Sequence, residues 1–134
     1  MGKTKAIAEV VNTEVREEIA RPYKLRALRD GDLMPILKLL RKIGLKNFKD
    51  AVQQAANGAK LEEIGIVAIL NVADVIIGNL ELAENEIYEF WGDMSGIPVD
   101  EIKMMEFGTL PLMIYDTFMN AKNVPFFKVA FKLL

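Results

Sequence analysis

The sequence predicts a mainly α protein: a single compact helical domain over residues 1–134, with about six to seven helices and room for one short strand or hairpin near residues 22–29. Three observations carry that expectation. Apolar residues recur every three or four positions through most of the chain, the spacing that gathers them on one helix face. Proline, glycine and Asx clusters fall at the borders of those stretches. Only residues 23–28 show the twofold alternation of a strand. With 134 residues, 51% of them apolar and 27% charged, the composition is that of a globular domain. A chain of this length buries roughly two-thirds of its unfolded surface, so its core needs no metal or disulfide.

Residues 5–20 place Ile7, Val10, Val11, Val15 and Ile19 at helical spacing, with Glu14, Glu17 and Glu18 mostly opposite. This peripheral amphipathic helix should end before Pro22, because the residue preceding proline avoids helical geometry. Tyr23, Leu25 and Ala27 then alternate with Lys24, Arg26 and Leu28, although one strand alone cannot make a sheet. Asp30-Gly31-Asp32 reads as a turn and N-cap, its carboxylates at the positive end of the next helix dipole. Pro35 falls in the first turn, where its missing donor costs little. The helix it opens carries Leu33, Ile36, Leu37, Leu39, Leu40 and Ile43, and Gly44 is its natural stop.

A second helix is expected over about residues 46–56, through Phe48, Ala51, Val52 and Ala55. Residues 61–78 are apolar nearly all round, with Asn71 and Asp74 the polar exceptions between 64 and 77. Such a helix sits in the middle of a bundle or pairs with copies of itself. Its β-branched residues leave a strand open for residues 64–70, but the length favours a helix. A buried Asp74 would need a cation or backbone donors, so an edge position facing solvent, with Asn71 on the same face, is expected. Further helices follow over residues 83–94, 97–105, 109–120 and 125–134, the first of them broken by Ser95-Gly96.

The chain contains no cysteine and no histidine. Disulfides, thiol nucleophiles, Cys/His zinc sites and histidine-based triads are thereby excluded. No nucleophile–base pair or nucleotide-binding glycine loop is visible, and Gly2-Lys3-Thr4 lacks the upstream glycine of a phosphate loop. No enzyme activity and no cofactor are expected. Glu86, Glu89 and Asp93 share one helix face, yet no calcium-loop spacing accompanies them; they read as a solvated acidic face, with no metal. The uncharged run between Glu63 and Asp74 is ten residues, half of what a membrane span requires. No secretory signal core follows the basic start, and a cytoplasmic location is expected.

Side chains for partner binding are sought among the aromatics and methionines. Trp91, Met113, Phe118, Phe126 and Phe127 are the candidates, weighed against core packing, the commoner use of such residues. The charge is more informative. Residues 1–60 hold 13 Lys or Arg against 7 Asp or Glu, a net +6; residues 61–134 hold 4 against 12, a net −8. The halves can attract each other within the fold or between copies. Alternatively the basic half, with Arg26, Arg29, Lys38, Arg41, Lys42, Lys46 and Lys49, can meet nucleic acid; no base-reading cluster opens its second helix, which weakens that reading.

Three stretches give the chain a family likeness. The first is Tyr23-Lys24-Leu25-Arg26-Ala27-Leu28 with the apolar helix that ends at Gly44. The second is Asn79-Leu80 followed by Glu86-Ile87-Tyr88-Glu89-Phe90-Trp91-Gly92-Asp93-Met94-Ser95-Gly96, leading into Pro98-Val99-Asp100-Glu101-Ile102. The third is Phe118 with Phe126-Phe127-Lys128-Val129-Ala130-Phe131. Together they resemble the tail assembly chaperones of long-tailed phages and prophages of Gram-positive bacteria. Trp91 stands where a smaller aliphatic residue is usual, and Val124-Pro125 replaces an acidic residue. The resemblance implies a non-catalytic helical protein of the infected bacterial cytoplasm, absent from the mature virion. It implies binding to the tape measure protein to keep it soluble, recruitment of tail tube subunits, and self-association. Rival expectations are a DNA-binding or replication accessory protein using the basic half, and a helical adaptor or regulatory subunit unrelated to phage tails.

Overall fold

Helix α1, Leu33–Ile43, shows how the pattern becomes a core. Its buried side chains are Ile36, Leu37, Leu39, Leu40 and Ile43, while Met34, Pro35, Lys38, Arg41 and Lys42 face out. Gly44 ends it at φ 109°, with its N–H donating to the Leu40 carbonyl at 3.1 Å. That left-handed region strains any residue with a Cβ, which is why glycine occupies it. A 3-10 turn, Leu45–Phe48, follows and buries the Phe48 ring.

The computed structural model describes residues 21–49 and 66–133. The helix expected over residues 5–20, and most of that expected over 46–56, lie outside the described residues. Five more helices follow α1: α2 Ile66–Gly78, α3 Glu84–Ser95, α4 Val99–Lys103, α5 Thr109–Met119 and α6 Val124–Leu133. Among the described residues there are six α-helices and no strand, as a mainly α domain requires. Helix α2 packs most extensively on α5, and α1 lies against both α3 and α6. The buried apolar residues of all six form one cluster.

Helix α2 buries Ile69, Val72, Ala73 and Ile76, and turns Asn71 and Asp74 to solvent. The two polar residues do sit on an outward edge. Of the strand reading for residues 64–70, residues 66–70 are helical, and 64 and 65 lie outside the described residues. Helix α3 ends at Gly96, φ 74°, whose N–H meets the Gly92 carbonyl at 2.8 Å. Gly92 is itself needed for close approach: a Cβ there would lie 3.2 Å from the Ile97 carbonyl oxygen.

Residues 21–29 are non-helical and, among the described residues, pair with no strand. They cross the ends of helices instead, and the backbone bond recorded between them and the helices is Arg26 N–H to the Met94 carbonyl at 3.1 Å. The alternation survives only in part. Tyr23 is buried and Leu25 half-buried, yet Ala27 is exposed and Arg26 is half-buried against carboxylates. Asp32 likewise departs from the expected cap. Asp30–Asp32 is a 3-10 turn, and the Asp32 carboxylate folds back to accept from Arg29 N–H at 2.8 Å and from the Arg26 guanidinium, leaving the α1 donors to others.

Candidate functional site

The aromatic candidates lie in the core. Trp91, Met113, Phe118 and Phe127 are all 0% exposed, and Phe126 is half-buried at its edge. Phe118 and Phe127 stack with ring centroids 4.1 Å apart, and Phe126 and Phe131 close around Phe127. The reason is geometric: α3 supplies Trp91, α5 supplies Met113 and Phe118, and α6 supplies Phe127, each among the residues its helix buries in the shared core. In the described fold these four side chains serve the core, and of the five candidates Phe126 alone reaches its edge.

A buried polar chain ties that core together. The Trp91 indole N–H donates to Thr117 Oγ1 at 2.8 Å, and Thr117 donates in turn to the Met113 carbonyl at 2.9 Å. Asn123 Nδ2 donates to the Thr117 carbonyl at 2.9 Å, while its Oδ1 accepts the Leu28 N–H at 2.9 Å. Every buried donor in this chain has a partner, the condition under which polar groups are tolerated inside.

Charge closes the molecule on the other side. Arg21 donates to Asp116 twice, at 2.7 and 3.1 Å, and Tyr23 donates its hydroxyl to the same carboxylate at 2.6 Å. Arg26 grips Asp32 through two nitrogens, at 2.7 and 2.9 Å, and also pairs with Asp93. Lys42 meets Glu86 at 2.7 Å. Among the described residues, three of these four ion pairs join the basic half of the sequence to the acidic half. Attraction between the halves therefore operates within the fold. The Arg26 bond holds the Asp32 carboxyl below its usual range, against the opposing effect of burial. Burial, with the Asp116 bond, pushes the Tyr23 hydroxyl upward. Lys42 lowers the Glu86 carboxyl in the same way. Of the three carboxylates on the acidic face of α3, Glu86 and Asp93 are thus engaged with cations, and Glu89 faces solvent.

Among the described residues, the exposed large apolar side chains are Met34, Leu82, Met104, Phe107, Val129 and Leu133. Two of them share one turn. Between α4 and α5, Met104 is 85% exposed and Phe107 fully so, with Gly108 at φ 90° turning the chain into α5. Beside them is an open cleft of about 280 Å³ lined by Leu80, Tyr88, Met105, Phe107, Leu110 and Pro111. Lys103 lies 5.1 Å from the centre of the Tyr88 ring at its rim. A bare phenylalanine next to an apolar cleft is a binding anchor in form, since burying such a ring is worth about 1.5–3 kcal/mol. Its sequence signal is the position of Phe107 in the gap between two helical patterns, where an apolar residue has no helix face to join. Among the described residues no group of three or more Asp or Glu is placed to hold a metal ion, and no helix is long and apolar enough to cross a membrane. No protein-family model, curated protein or solved structure matches the chain.

Proposed function

We propose that this chain is a phage tail assembly chaperone: a helical, non-catalytic binding protein that holds apolar segments of the tape measure protein and presents them to tail tube subunits. The observation that carries the binding role is the α4–α5 turn, where Phe107 and Met104 stand in solvent beside an apolar cleft. Methionine adapts its shape to different apolar partners, and phenylalanine supplies a rigid anchor. A holder of aggregation-prone helices needs such side chains and no chemistry. The identification with phage tails rests on the resemblance in residues 23–44, 86–102 and 118–131. The engagement of Arg21, Arg26 and Lys42 by carboxylates weighs against the nucleic-acid reading, because those cations are already paired.

The test is co-expression with the tape measure protein of the same phage. The chain should shift that protein from the insoluble to the soluble fraction, and Phe107→Ser with Met104→Ser should abolish the shift. Unchanged solubility with the unaltered chain overturns the proposal. DNA retention at low salt that falls steeply as salt rises would favour the accessory-protein alternative.

A further inference from the structure

The chain has no cysteine, so its seven methionine thioethers are its only sulfur. The fold grades six of them by exposure. Met94 and Met113 are buried in the core, Met105 and Met119 are half-buried, and Met34 and Met104 stand 71% and 85% exposed. A peroxide must reach the sulfur lone pair, so the two exposed thioethers react first. Their settings differ. Met34 lines a groove walled by Asp32, Lys38, Glu86, Glu89 and Asp93, where one more polar group changes little. Met104 stands beside Phe107 and the apolar cleft of the α4–α5 turn.

The turn is held by its backbone. Met104 N–H donates to the Glu101 carbonyl at 3.1 Å, and Met105 N–H to the Ile102 carbonyl at 3.0 Å. The exposed thioether can therefore change its chemistry without loosening the turn. A sulfoxide oxygen is a strong acceptor, and an apolar partner laid over it would strip it of water. Two donors that line the cleft are already engaged: the Thr109 hydroxyl donates to the Glu106 carbonyl at 2.6 Å, and the Lys103 ammonium lies 5.1 Å from the centre of the Tyr88 ring.

We propose that Met104 is an oxidation site, with hydrogen peroxide or a related peroxide as reactant, and that its oxidation closes the apolar surface of the turn to partners. The thioether sulfur attacks one peroxide oxygen with its lone pair. A sulfur–oxygen bond forms, the oxygen–oxygen bond breaks, and the departing hydroxide takes the proton of the transferred oxygen to leave as water. Sulfur loses two electrons and the peroxide gains them. A methionine sulfoxide reductase reverses the step, two thiols becoming a disulfide while the oxygen leaves as water. An apolar, flexible side chain thus becomes polar, and reversibly so. The loss of partner binding rests on the role proposed for the turn; the oxidation site and the change in surface polarity do not.

Peroxide treatment of the full chain, followed by peptide mass spectrometry, reads the site. Met104 and Met34 should take up oxygen first, with Met94 and Met113 untouched and the melting temperature unmoved. Elution from a phenyl matrix reads the surface. In a Met34→Leu chain, peroxide should bring elution forward and sulfoxide reductase should return it; adding Met104→Leu should remove most of that shift. Chain oxidised and then freed of peroxide should no longer keep the tape measure protein soluble on dilution from denaturant. Oxidised Met104→Leu chain should still do so. Oxidation of Met94 or Met113 ahead of Met104 overturns the proposal, as does an equal elution shift in the double variant. So does an oxidised chain that keeps the partner as soluble as untreated chain does. If untreated chain fails to keep the partner soluble, the binding role falls, and the elution shift alone decides the oxidation site.

Discussion

Residues 21–29 and residues 104–108 are both short non-helical segments crossing the ends of helices, and they are treated in opposite ways. In the first, polar side chains tie the segment to the helices: Arg21 and Tyr23 hold Asp116, Arg26 holds Asp32 and Asp93, and Leu28 N–H meets Asn123. In the second, Met104 and Phe107 carry apolar side chains into water with nothing over them. The first segment is part of the fold's closure, and its charges are spent inside the molecule. The second contributes little to closure, which leaves its side chains available to a partner. Charge in the first segment ties the fold together; exposed apolar surface in the second is what the proposed binding role uses.

The contrast can be broken from either side. The largest stability loss belongs to the core: Trp91→Ala should cost about 3–5 kcal/mol, read by denaturant unfolding, because it leaves a cavity where the fully buried indole packed. Arg26→Met should cost about 2–3 kcal/mol, since Asp32 is left buried without its cation. Thr117→Val should cost about 1–2 kcal/mol, by orphaning the Trp91 N–H in an apolar site. Phe107→Ser should change stability by less than about 0.5 kcal/mol, as expected for an exposed side chain without partners in the fold. If Phe107→Ser cost as much as Arg26→Met, the comparison would collapse.

The same contrast has a pH signature. Asp32 has its folded-state pKa lowered, chiefly by the Arg26 bond. Its stabilising contribution is complete above the unfolded carboxylate pKa and disappears as pH falls from about 4 through the lower folded value. Tyr23 has its folded pKa raised by burial and by Asp116. Its contribution is complete below about pH 10 and disappears as pH rises beyond that value. Asp32→Asn should therefore flatten the acid limb of the stability profile, and Tyr23→Phe the alkaline limb. Changes at residues 104–108 should flatten neither.

The helical part of the fold was legible because apolar spacing, glycine stops and early prolines agreed with one another. Gly44 and Gly96 end helices where the pattern breaks, and Pro98 and Pro35 stand at helix starts. At residues 23–28 the alternation predicted a strand or an extended segment without naming what would receive it; Tyr23 meets Asp116, and Arg26 meets Asp32, Asp93 and the Met94 carbonyl. Which aromatics are free was harder to read. Trp91, Phe118 and Phe127 sit at helical spacing and join the core, whereas Phe107 lies off every helical face and stays outside. Periodicity therefore does distinguish them, provided that departure from the pattern is taken as the functional signal. The ion pairs were invisible one by one, since they join residues as far apart as 21 and 116. Only the sum, +6 against −8, indicated that such pairing would occur.

The central claim is that Phe107 serves binding and not folding. Its most direct test pairs two measurements on Phe107→Ser: thermal unfolding, and solubility of the co-expressed tape measure protein. The account predicts an unaltered melting temperature with solubilisation lost. A lowered melting temperature, or a partner that remains as soluble as with the unaltered chain, would contradict it.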